Sequence, residues 1–277
     1  MVKVINTPSL SKKIRTFELL LTPMKVTFLG TGTSQGIPVI GSDHPVCQST
    51  DPRDKRLRSS VLVSWEDFCV VIDCGPDFRQ QMLRQQCQRL DAILLTHEHN
   101  DHVLGLDDVR PFYFMQGFVN IYAQLRVFDS LKKRFDYIFA SGEKYPGTPT
   151  ITEFYIQKNS PFQIGNKTVL PFEVMHGSLP VMGFRIDDFT YITDAKTIDE
   201  TSIQHIVGTK VLVVNALRKN QHASHFTLEE ALDFIRKIKP EKAYLTHISY
   251  SMGFHEEVQK ELPDNVFLAY DGLTITI

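Results

Sequence analysis

The chain has 277 residues, of which 42% are hydrophobic and 22% charged, a composition typical of a globular protein with one large domain or two small ones. Its net charge of -2 offers no basic field for non-specific nucleic-acid binding, and no apolar run approaches the length of a membrane span. Four cysteines in a chain of this length do not make a disulfide framework, which favours a cytoplasmic protein.

Residues 1–23 are predicted to be an N-terminal extension, because the first strand pattern begins only at Met24. The segment has a short apolar run after several basic residues, but Glu18 interrupts that run and no small-residue cleavage site follows. It therefore does not fit a secretory signal peptide, and we expect one domain over residues 24–277.

The first predicted strand, 24–29, ends in a glycine-rich run from Gly30 to Gly36. The glycine spacing does not match the dinucleotide fingerprint and no helix pattern follows, which argues against a Rossmann fold. Thr33 and Ser34 belong to this run, whose free backbone N–H groups can line an anion site for a substrate. A plain turn explains the run equally well.

Extended and helical patterns alternate through the rest of the chain. Strands are predicted at 60–65, 69–73, 92–95, 119–122, 150–156, 162–164, 167–176, 182–186, 190–193, 211–215, 243–247, 266–270 and 273–277. Helices are predicted at 76–86, at 103–110 with an end before Pro111, at 127–139, and at 227–237 with Thr227 and Glu230 as a capping box. This order indicates two sheet layers with helices outside them.

The most informative motif is His97-Glu98-His99-Asn100-Asp101-His102, directly after the predicted strand 92–95. Side chains two apart on an extended segment point the same way, so His97 and His99 can face one point. Asp101 and His102 follow where the chain turns and can face a second point beside it. These nitrogen and oxygen donors suit one or two divalent metal ions, and three of the ten histidines within six residues argue against a merely polar loop.

Further ligand-type residues lie where other predicted strands end, namely His176, Asp194 and His247. Strand ends on one edge of a sheet sandwich converge on a shared cleft. Asp73 ends its strand in the same way and either caps the following turn or orients a metal-bound histidine. We favour the second role.

The motif His97-x-His99-x-Asp101-His102, followed in order by His176, Asp194 and His247, resembles the metallo-β-lactamase superfamily over about residues 24–277. The resemblance implies an α/β fold, an αββα sandwich of two similar halves with the metals between them. It also implies two divalent ions, manganese or zinc. His97, His99 and His176 would bind one ion, Asp101, His102 and His247 the second, and Asp194 would bridge them.

Four shorter stretches, 30–38, 107–111, 215–218 and 270–273, resemble one branch of that superfamily. These are phosphodiesterases similar to phosphoribosyl 1,2-cyclic phosphate phosphodiesterase, with ribonuclease Z a more distant relative. The resemblance implies a small phosphodiester substrate, cyclic or nucleotide-like. The extra arm with which ribonuclease Z grips tRNA has no counterpart in the sequence, so a nucleic-acid partner is not expected.

One departure from the branch concerns a structural zinc that its members often hold with three cysteines and a histidine. The matching positions here are Ser42, His44, Cys47 and Tyr250, which leave two ligands of four. We therefore predict that this zinc is absent.

The expected mechanism is attack on phosphorus by a hydroxide that bridges two metal ions, with Asp101 as a catalytic residue that orients it. The leaving alkoxide needs a proton, and an imidazole is a suitable donor. From its place in the branch's pattern, His225 is predicted to be this acid or a phosphate contact, and His222 a substrate contact. A solvent-exposed loop is the alternative for both.

Other functions compete with this one. The same metals can hydrolyse a thioester or a lactam, because a fold does not decide the substrate, and a tRNA-processing-like nuclease is a further alternative. A redox diiron protein is disfavoured because such relatives have Glu where His99 stands, and a binding module because all seven ligand positions are filled. The sequence is compatible with a homodimer.

Overall fold

The computed structural model describes residues 23–140, 142 and 145–277. Apart from Pro23, the predicted extension lies outside the described residues, so its extent stays a prediction. Within the described residues the strands form two seven-stranded sheets.

Each sheet has an antiparallel part that continues into a parallel part. The strand order is β14-β1-β2-β3-β4-β5-β6 in the first sheet and β13-β12-β11-β10-β9-β8-β7 in the second. Their bounds are β1 Lys25–Gly30, β2 Ser60–Trp65, β3 Phe68–Ile72, β4 Ala92–Leu94, β5 Val119–Ala123, β6 Ile151–Tyr155, β7 Phe162–Ile164, β8 Lys167–His176, β9 Leu179–Ile186, β10 Phe189–Tyr191, β11 Val211–Asn215, β12 Lys242–Thr246, β13 Val266–Leu268 and β14 Thr274–Thr276. Strands β3 to β6 are parallel, as are β10 to β13.

The helices lie outside the two sheets. Their bounds are α1 Pro45–Gln48, α2 Phe78–Arg84, α3 Asn100–Val103, α4 Arg110–Gln116, α5 Leu125–Arg134, α6 Asp136–Phe139, α7 Glu200–Ile206, α8 Leu228–Ile238 and α9 His255–Glu261. Among the described residues, none of the helices combines the length and the apolar character needed to cross a bilayer. The predicted capping box is present at α8, where Thr227 accepts from the N–H of Glu230 and Glu230 accepts from the N–H of Thr227.

Three hydrophobic clusters hold these four layers together. The central cluster joins the facing sides of the two sheets through residues such as Phe28, Phe184 and Tyr191. Separate clusters pack α2 to α6 on the first sheet and α7 to α9 on the second. Strands such as β11, buried along their whole length, are apolar on both faces because each face is covered. The arrangement is the predicted αββα sandwich.

Two predicted helices are wrong in their bounds. The predicted helix 103–110 is a 3-10 helix over Leu104–Val109, and the α-helix begins at Arg110 instead of ending there. Pro111 fits because the first-turn N–H groups of a helix have no intrahelical partner, so proline loses nothing there. The predicted helix 127–139 is divided between α5 and α6, since Phe135 leaves the helical backbone region with φ -124 and ψ 45.

Candidate metal centre

The predicted ligands lie at one edge of the sandwich, where the parallel strands of both sheets end. Their places are Asp73 beyond β3, His97 to His102 beyond β4, His176 at the end of β8, Asp194 beyond β10 and His247 beyond β12. Parallel strands end on the same side of a sheet, and in such folds this edge forms the crevice for ligands. The Nε2 atom of His102 lies 3.2 Å from Asp194 Oδ2, so residues of the two sheets meet across it.

The histidine motif is held tightly against the end of β3. The backbone N–H of Cys74 donates to the carbonyl oxygen of His102 at 2.9 Å. At Gly75 a Cβ atom would lie 2.0 Å from the carbonyl oxygen of Asp101, a contact that no other residue type can avoid without moving the motif. Glycine at this position therefore allows Asp101 and His102 to turn into the cleft.

Donor atoms gather into three overlapping sets, each within 4.8 Å. The sets are His97, His102 and Asp194; Asp101, His102 and His247; and His176, Asp194 and His225. The second is the complete set predicted for one ion. Asp194 and His102 each belong to two sets, and of these two only the carboxylate of Asp194 has two oxygen atoms with which to bridge two ions. His225, predicted as an acid or phosphate contact, lies among the donors.

The other predicted set brings three rings together more loosely. The ring centroids of His97 and His99 are 4.5 Å apart, and those of His99 and His176 are 5.2 Å apart. No donor set among the described residues contains all three. His97 is buried, His176 is half-buried and His99 is exposed, so this side of the centre opens to solvent.

The ring nitrogens show whether the residues fit a metal. Within the described part of the chain, Nε2 of His97, Nε2 of His102 and both ring nitrogens of His247 are buried without a hydrogen-bond partner. His102 donates from Nδ1 to Asp73 Oδ2 at 2.7 Å, which leaves a lone pair on Nε2. That lone pair faces Oδ2 of Asp101 at 3.1 Å as well as Asp194. Nitrogen and oxygen donors that converge on one point fit a divalent ion, which would replace the proton of His102 as the positive charge between the carboxylates.

Positive charge is required at the centre: burial lowers the pKa of His102, but Asp101, Asp194 and Asp73 outweigh it and raise that pKa, so His102 holds a proton where a divalent ion would take the proton's place. Burial lowers the pKa of His97, and the neighbouring His102 lowers it further, so His97 is neutral. Burial alone would raise the pKa of Asp101, but His102 and His247 outweigh it and hold that pKa below its usual value. Neutral imidazole and ionised carboxylate are the forms that bind metals.

Asp73 makes the contact predicted for it, as a hydrogen-bond acceptor behind a ligand. Besides His102, its carboxylate accepts from the backbone N–H and the hydroxyl of Thr96, both at 2.9 Å. The Thr96 hydroxyl also lies 2.9 Å from Nδ1 of His97. One buried carboxylate therefore fixes the ring orientation of His102 directly and of His97 through Thr96.

We expect Asp73→Asn to weaken metal binding by about ten- to hundredfold, the usual cost of removing a carboxylate behind a ligating histidine. The amide keeps the shape of the side chain but loses the charge that orients His102. Affinity is measured by competition with a chromophoric chelator. Asp91→Asn, at a buried aspartate that accepts from the N–H of Cys69, is the matched control and should bind as the wild type does. Wild-type affinity in Asp73→Asn would contradict the assigned role.

Two supporting residues were not predicted from the sequence. Asn215 accepts from the N–H of Ala195 at 2.7 Å and donates to its carbonyl at 3.0 Å, which fixes the residue after Asp194. Arg126 bonds the carboxylate of Glu98 and the carbonyl oxygen of Pro180, so it joins the motif loop to the β8–β9 hairpin. Asn215 belongs to a stretch that carries the family resemblance, whereas Arg126 had no signal in the sequence.

Two of the predicted substrate contacts, Thr33 and His222, have neighbours in the centre. The N–H of Thr33 donates to the carbonyl oxygen of Ile248, next to His247, and the neighbouring Ser34 is exposed. His222 is half-buried, with its ring centroid 5.0 Å from that of His225. Thr33, Ser34 and His222 stay predictions as substrate contacts.

The region predicted to lack a structural zinc is packed by side chains. Cys47 is buried with Ile37 and Val46, and the His44 ring lies 4.8 Å from that of Tyr250. The absence of this zinc stays a prediction.

Comparison with known proteins agrees with the fold and the donor set. The family described as "Beta-lactamase superfamily domain" matches residues 69–248. The chain belongs to the metallo-β-lactamase superfamily of metal-dependent hydrolases.

Within that superfamily, the chain is similar to a diphosphatase of the PhnP family. The two are 37% identical with a TM-score of 0.87, and the match covers 93% of this chain and 98% of that one. Zn(2+)-bound PqqB from Methylobacterium extorquens shares the fold, with a TM-score of 0.75 and 20% identity over 91% of this chain and all of that one.

Two curated relatives have other names. A protein named octanoyltransferase from Porphyromonas gingivalis is 40% identical over 92% of this chain but only 52% of its own length, so the chain spans about half of it. A ribonuclease Z from Bradyrhizobium diazoefficiens is 39% identical over 29% of this chain and 22% of its own.

Proposed function

We propose that this protein is a metal-dependent phosphodiesterase that hydrolyses a small phosphodiester, cyclic or nucleotide-like, with two divalent ions, manganese or zinc. The observation on which this rests is that seven His and Asp residues form three overlapping donor sets, two of which share Asp194 and two of which share His102, which is more than one ion needs. The similarity to a PhnP-family diphosphatase supports a phosphate-containing substrate. A cytoplasmic location and a small-molecule substrate belong to the same proposal.

The residues divide into two groups by their place in the cleft. Asp101, His102 and His247 would hold one ion, and His97, His99 and His176 the other, with Asp194 shared. When bound, two such ions lower the pKa of a water molecule and neutralise charge on the phosphate. Asp101 Oδ2 lies 3.1 Å from Nε2 of His102 and 3.6 Å from Nε2 of His247. From this position the carboxylate would both bind a metal ion and orient the attacking water molecule.

The substrate would approach from the open side of the centre. The loop after β11 places His222 and His225 there, beside His176, whose Nδ1 lies 2.7 Å from the carbonyl oxygen of Ser224. Burial lowers the pKa of His222, and the nearby Arg218 and Lys196 add to the effect. Lys196 is paired with Glu230, with Nζ 2.7 Å from Oε1, so Arg218 is the cation near His222 that is left to attract an anionic substrate.

One alternative is favoured by a specific observation. The relative named octanoyltransferase suggests acyl-thioester hydrolysis as the alternative activity. This chain covers only 52% of that protein, however, and the named activity can belong to the rest of it. The thiol nearest the centre in sequence, Cys74, is fully buried, and burial raises its pKa, which disfavours an acyl-thioester intermediate on it.

A substrate panel separates these functions. The manganese- and zinc-loaded proteins are assayed with bis-p-nitrophenyl phosphate, a cyclic nucleotide, a nucleotide diphosphate ester, an acyl thioester and a lactam. We expect turnover of the phosphate esters to exceed that of the thioester and lactam by at least about 10²-fold. The reason is that attack on phosphorus and attack on a carbonyl carbon have different transition states, and a site complementary to the first stabilises the second less well. Faster turnover of the thioester or the lactam would overturn the proposal.

A further inference from the structure

The residue that follows the proposed ligand His247 is bound to the glycine-rich run that begins at the end of β1. The N–H of Ile248 donates to the carbonyl oxygen of Thr31 at 2.9 Å, and the N–H of Thr33 donates to the carbonyl oxygen of Ile248 at 3.1 Å. His247 has left-handed backbone, with φ 55°, which persists in a residue other than glycine only when the surrounding structure fixes it. The position of His247 therefore depends on the position of the glycine-rich run.

The other side of the glycine-rich run is held by the segment that precedes β2. The N–H of Gly32 donates to the carbonyl oxygen of Leu57 at 2.8 Å, and the N–H of Ser59 donates to the carbonyl oxygen of Gly32 at 3.0 Å. A Cβ atom at Gly32 would lie 3.0 Å from the carbonyl oxygen of Arg56, so the two backbones are in close contact. The glycine-rich run is thus enclosed between this segment and Ile248.

Arg56 places a buried positive charge directly behind the glycine-rich run. The residue is 3% exposed. Its Nη1 donates to the hydroxyl of Thr31 at 2.8 Å and to the carbonyl oxygen of Ala269 at 2.5 Å, and its Nη2 lies 3.2 Å from Nδ1 of His255. Burial lowers the pKa of Arg56 to about 10, and the charge of Asp271 opposes that fall, so the guanidinium is charged near neutral pH.

The Thr31 hydroxyl joins this cation to a carboxylate. With its single hydrogen the hydroxyl donates to Oδ1 of Asp271 at 2.8 Å, while it accepts from Arg56. The Oδ2 atom of Asp271 accepts from the N–H of Leu57 at 2.8 Å, so the same carboxylate also holds the segment before β2. Loss of the hydroxyl would leave Arg56 and Asp271 each one hydrogen bond short inside the fold, which is costly for charged groups.

We propose that Arg56, Thr31 and Asp271 are positioning residues that hold His247 in place for the metal ion whose other ligands lie on the histidine motif. This inference rests on the proposed metal-dependent function. The three residues act through the backbone of Thr31 and Ile248, and not through contact with the ion or the substrate. Distances from a metal to its ligands vary by only about 0.2 Å, so a small displacement of the His247 ring is enough to weaken binding.

Thr31→Val tests the proposal, because it keeps the shape of the side chain and removes the hydroxyl. Thr27→Val, four residues earlier in β1, is the matched control, since the Thr27 hydroxyl lies 2.8 Å from that of Thr274 and away from the run. The full chain, freed of metal, is titrated with Co²⁺, and the visible absorption of bound cobalt reports each ion. In Thr31→Val we expect one ion to bind about ten- to hundredfold more weakly and with an altered spectrum. Thr27→Val should bind as the wild type does.

Two further variants separate positioning from general destabilisation. Thr31→Ser keeps the hydroxyl and should restore wild-type binding. Asp271→Asn weakens the same contact without removing a group, and it should show the same selective loss if circular dichroism finds Thr31→Val unfolded. Wild-type affinity for every ion in the folded variant, or equal weakening of both ions, would overturn the proposal.

The titration of the wild type judges the proposed function separately. Uptake of a single ion by the wild type would contradict the two-metal function whatever the variants do. Thr31→Val must then weaken the binding of that ion, or the positioning role is wrong as well.

Discussion

Asp194→Ala is expected to lower phosphodiester turnover by about 10³-fold, the upper end of what one central electrostatic group contributes at an active site. Asp194 is 2% exposed and belongs to two of the three donor sets. Its Oδ2 lies 3.2 Å from Nε2 of His102 and its Oδ1 lies 3.3 Å from Nε2 of His247. Removing it therefore takes a ligand from both proposed ions at once.

The loss should appear in metal content as well as in rate. We expect tightly bound metal to fall from about two ions per chain to one or fewer, measured by elemental analysis after dialysis, since both proposed sites use this carboxylate. Asp188→Ala is the matched control, because Asp188 lies in the turn before β10 and forms a surface ion pair with Lys210. Retention of two ions and of wild-type turnover in Asp194→Ala would rule out the two-metal proposal.

The sequence predicted the parts of the centre that depend on local spacing. The period of two on an extended segment aligned His97 with His99, and the turn that follows placed Asp101 and His102 beside them. The ends of β8, β10 and β12 were recognisable because apolar runs stop at polar residues there. The pairing of those ends across the cleft came from the family resemblance, since spacing alone does not say which strands are neighbours.

The contacts that hold the centre in place were beyond such reasoning. Arg126 reaches Pro180, 54 positions along the chain, and Asn215 reaches Ala195, 20 positions back. Neither separation has a periodic signature in the sequence. These contacts exist only once the two sheets have packed, so tertiary structure decides them.

Backbone strain was equally invisible in the sequence. Asp73, Asp194 and His247 have left-handed backbone, with φ of 65°, 55° and 55°. Each such position costs on the order of 1 kcal/mol or more in a residue other than glycine, so the surrounding structure must offset it. The left-handed backbone turns the chain sharply just after each strand, so that these three side chains face the cleft. The sequence does not reveal this conformation, because a left-handed position is normally recognised by a glycine and none of the three is glycine.

His225→Ala is expected to lower turnover of a phosphodiester with an alkyl leaving group by about 10²- to 10⁴-fold, the range for loss of a general acid. A p-nitrophenyl diester should lose no more than about tenfold, because nitrophenolate leaves without a proton. The His225 ring lies between those of His176 and His247, with centroids 4.4 and 4.9 Å away. Its Nδ1 is 3.7 Å from Asp194 Oδ1, so the ring is beside the donors and can reach a bound phosphate.

The pH dependence follows from the burial of His225. Burial lowers the pKa of His225 to about 3, and the neighbouring His247 contributes to this shift, so the ring is neutral in the free protein near neutral pH. An anionic substrate raises the pKa of a neighbouring imidazole, and the acid form should therefore be present only with substrate bound. We expect the wild-type ratio of alkyl to nitrophenyl turnover to fall as pH rises through that higher pKa.

The variant and its controls distinguish three roles for this histidine. If His225 is the general acid, His225→Ala lowers turnover of the alkyl ester much more than that of the nitrophenyl ester. The ratio of the two turnover rates then no longer depends on pH in the variant, and the variant keeps its metal content. A phosphate contact alone lowers turnover of both esters equally, and a ligand role lowers metal content because His225 shares a donor set with His176 and Asp194. His205→Ala, on α7 outside all three donor sets found among the described residues, should change none of these quantities. Equal losses for the two leaving groups would therefore assign His225 to binding, and the proton would have to come from another group.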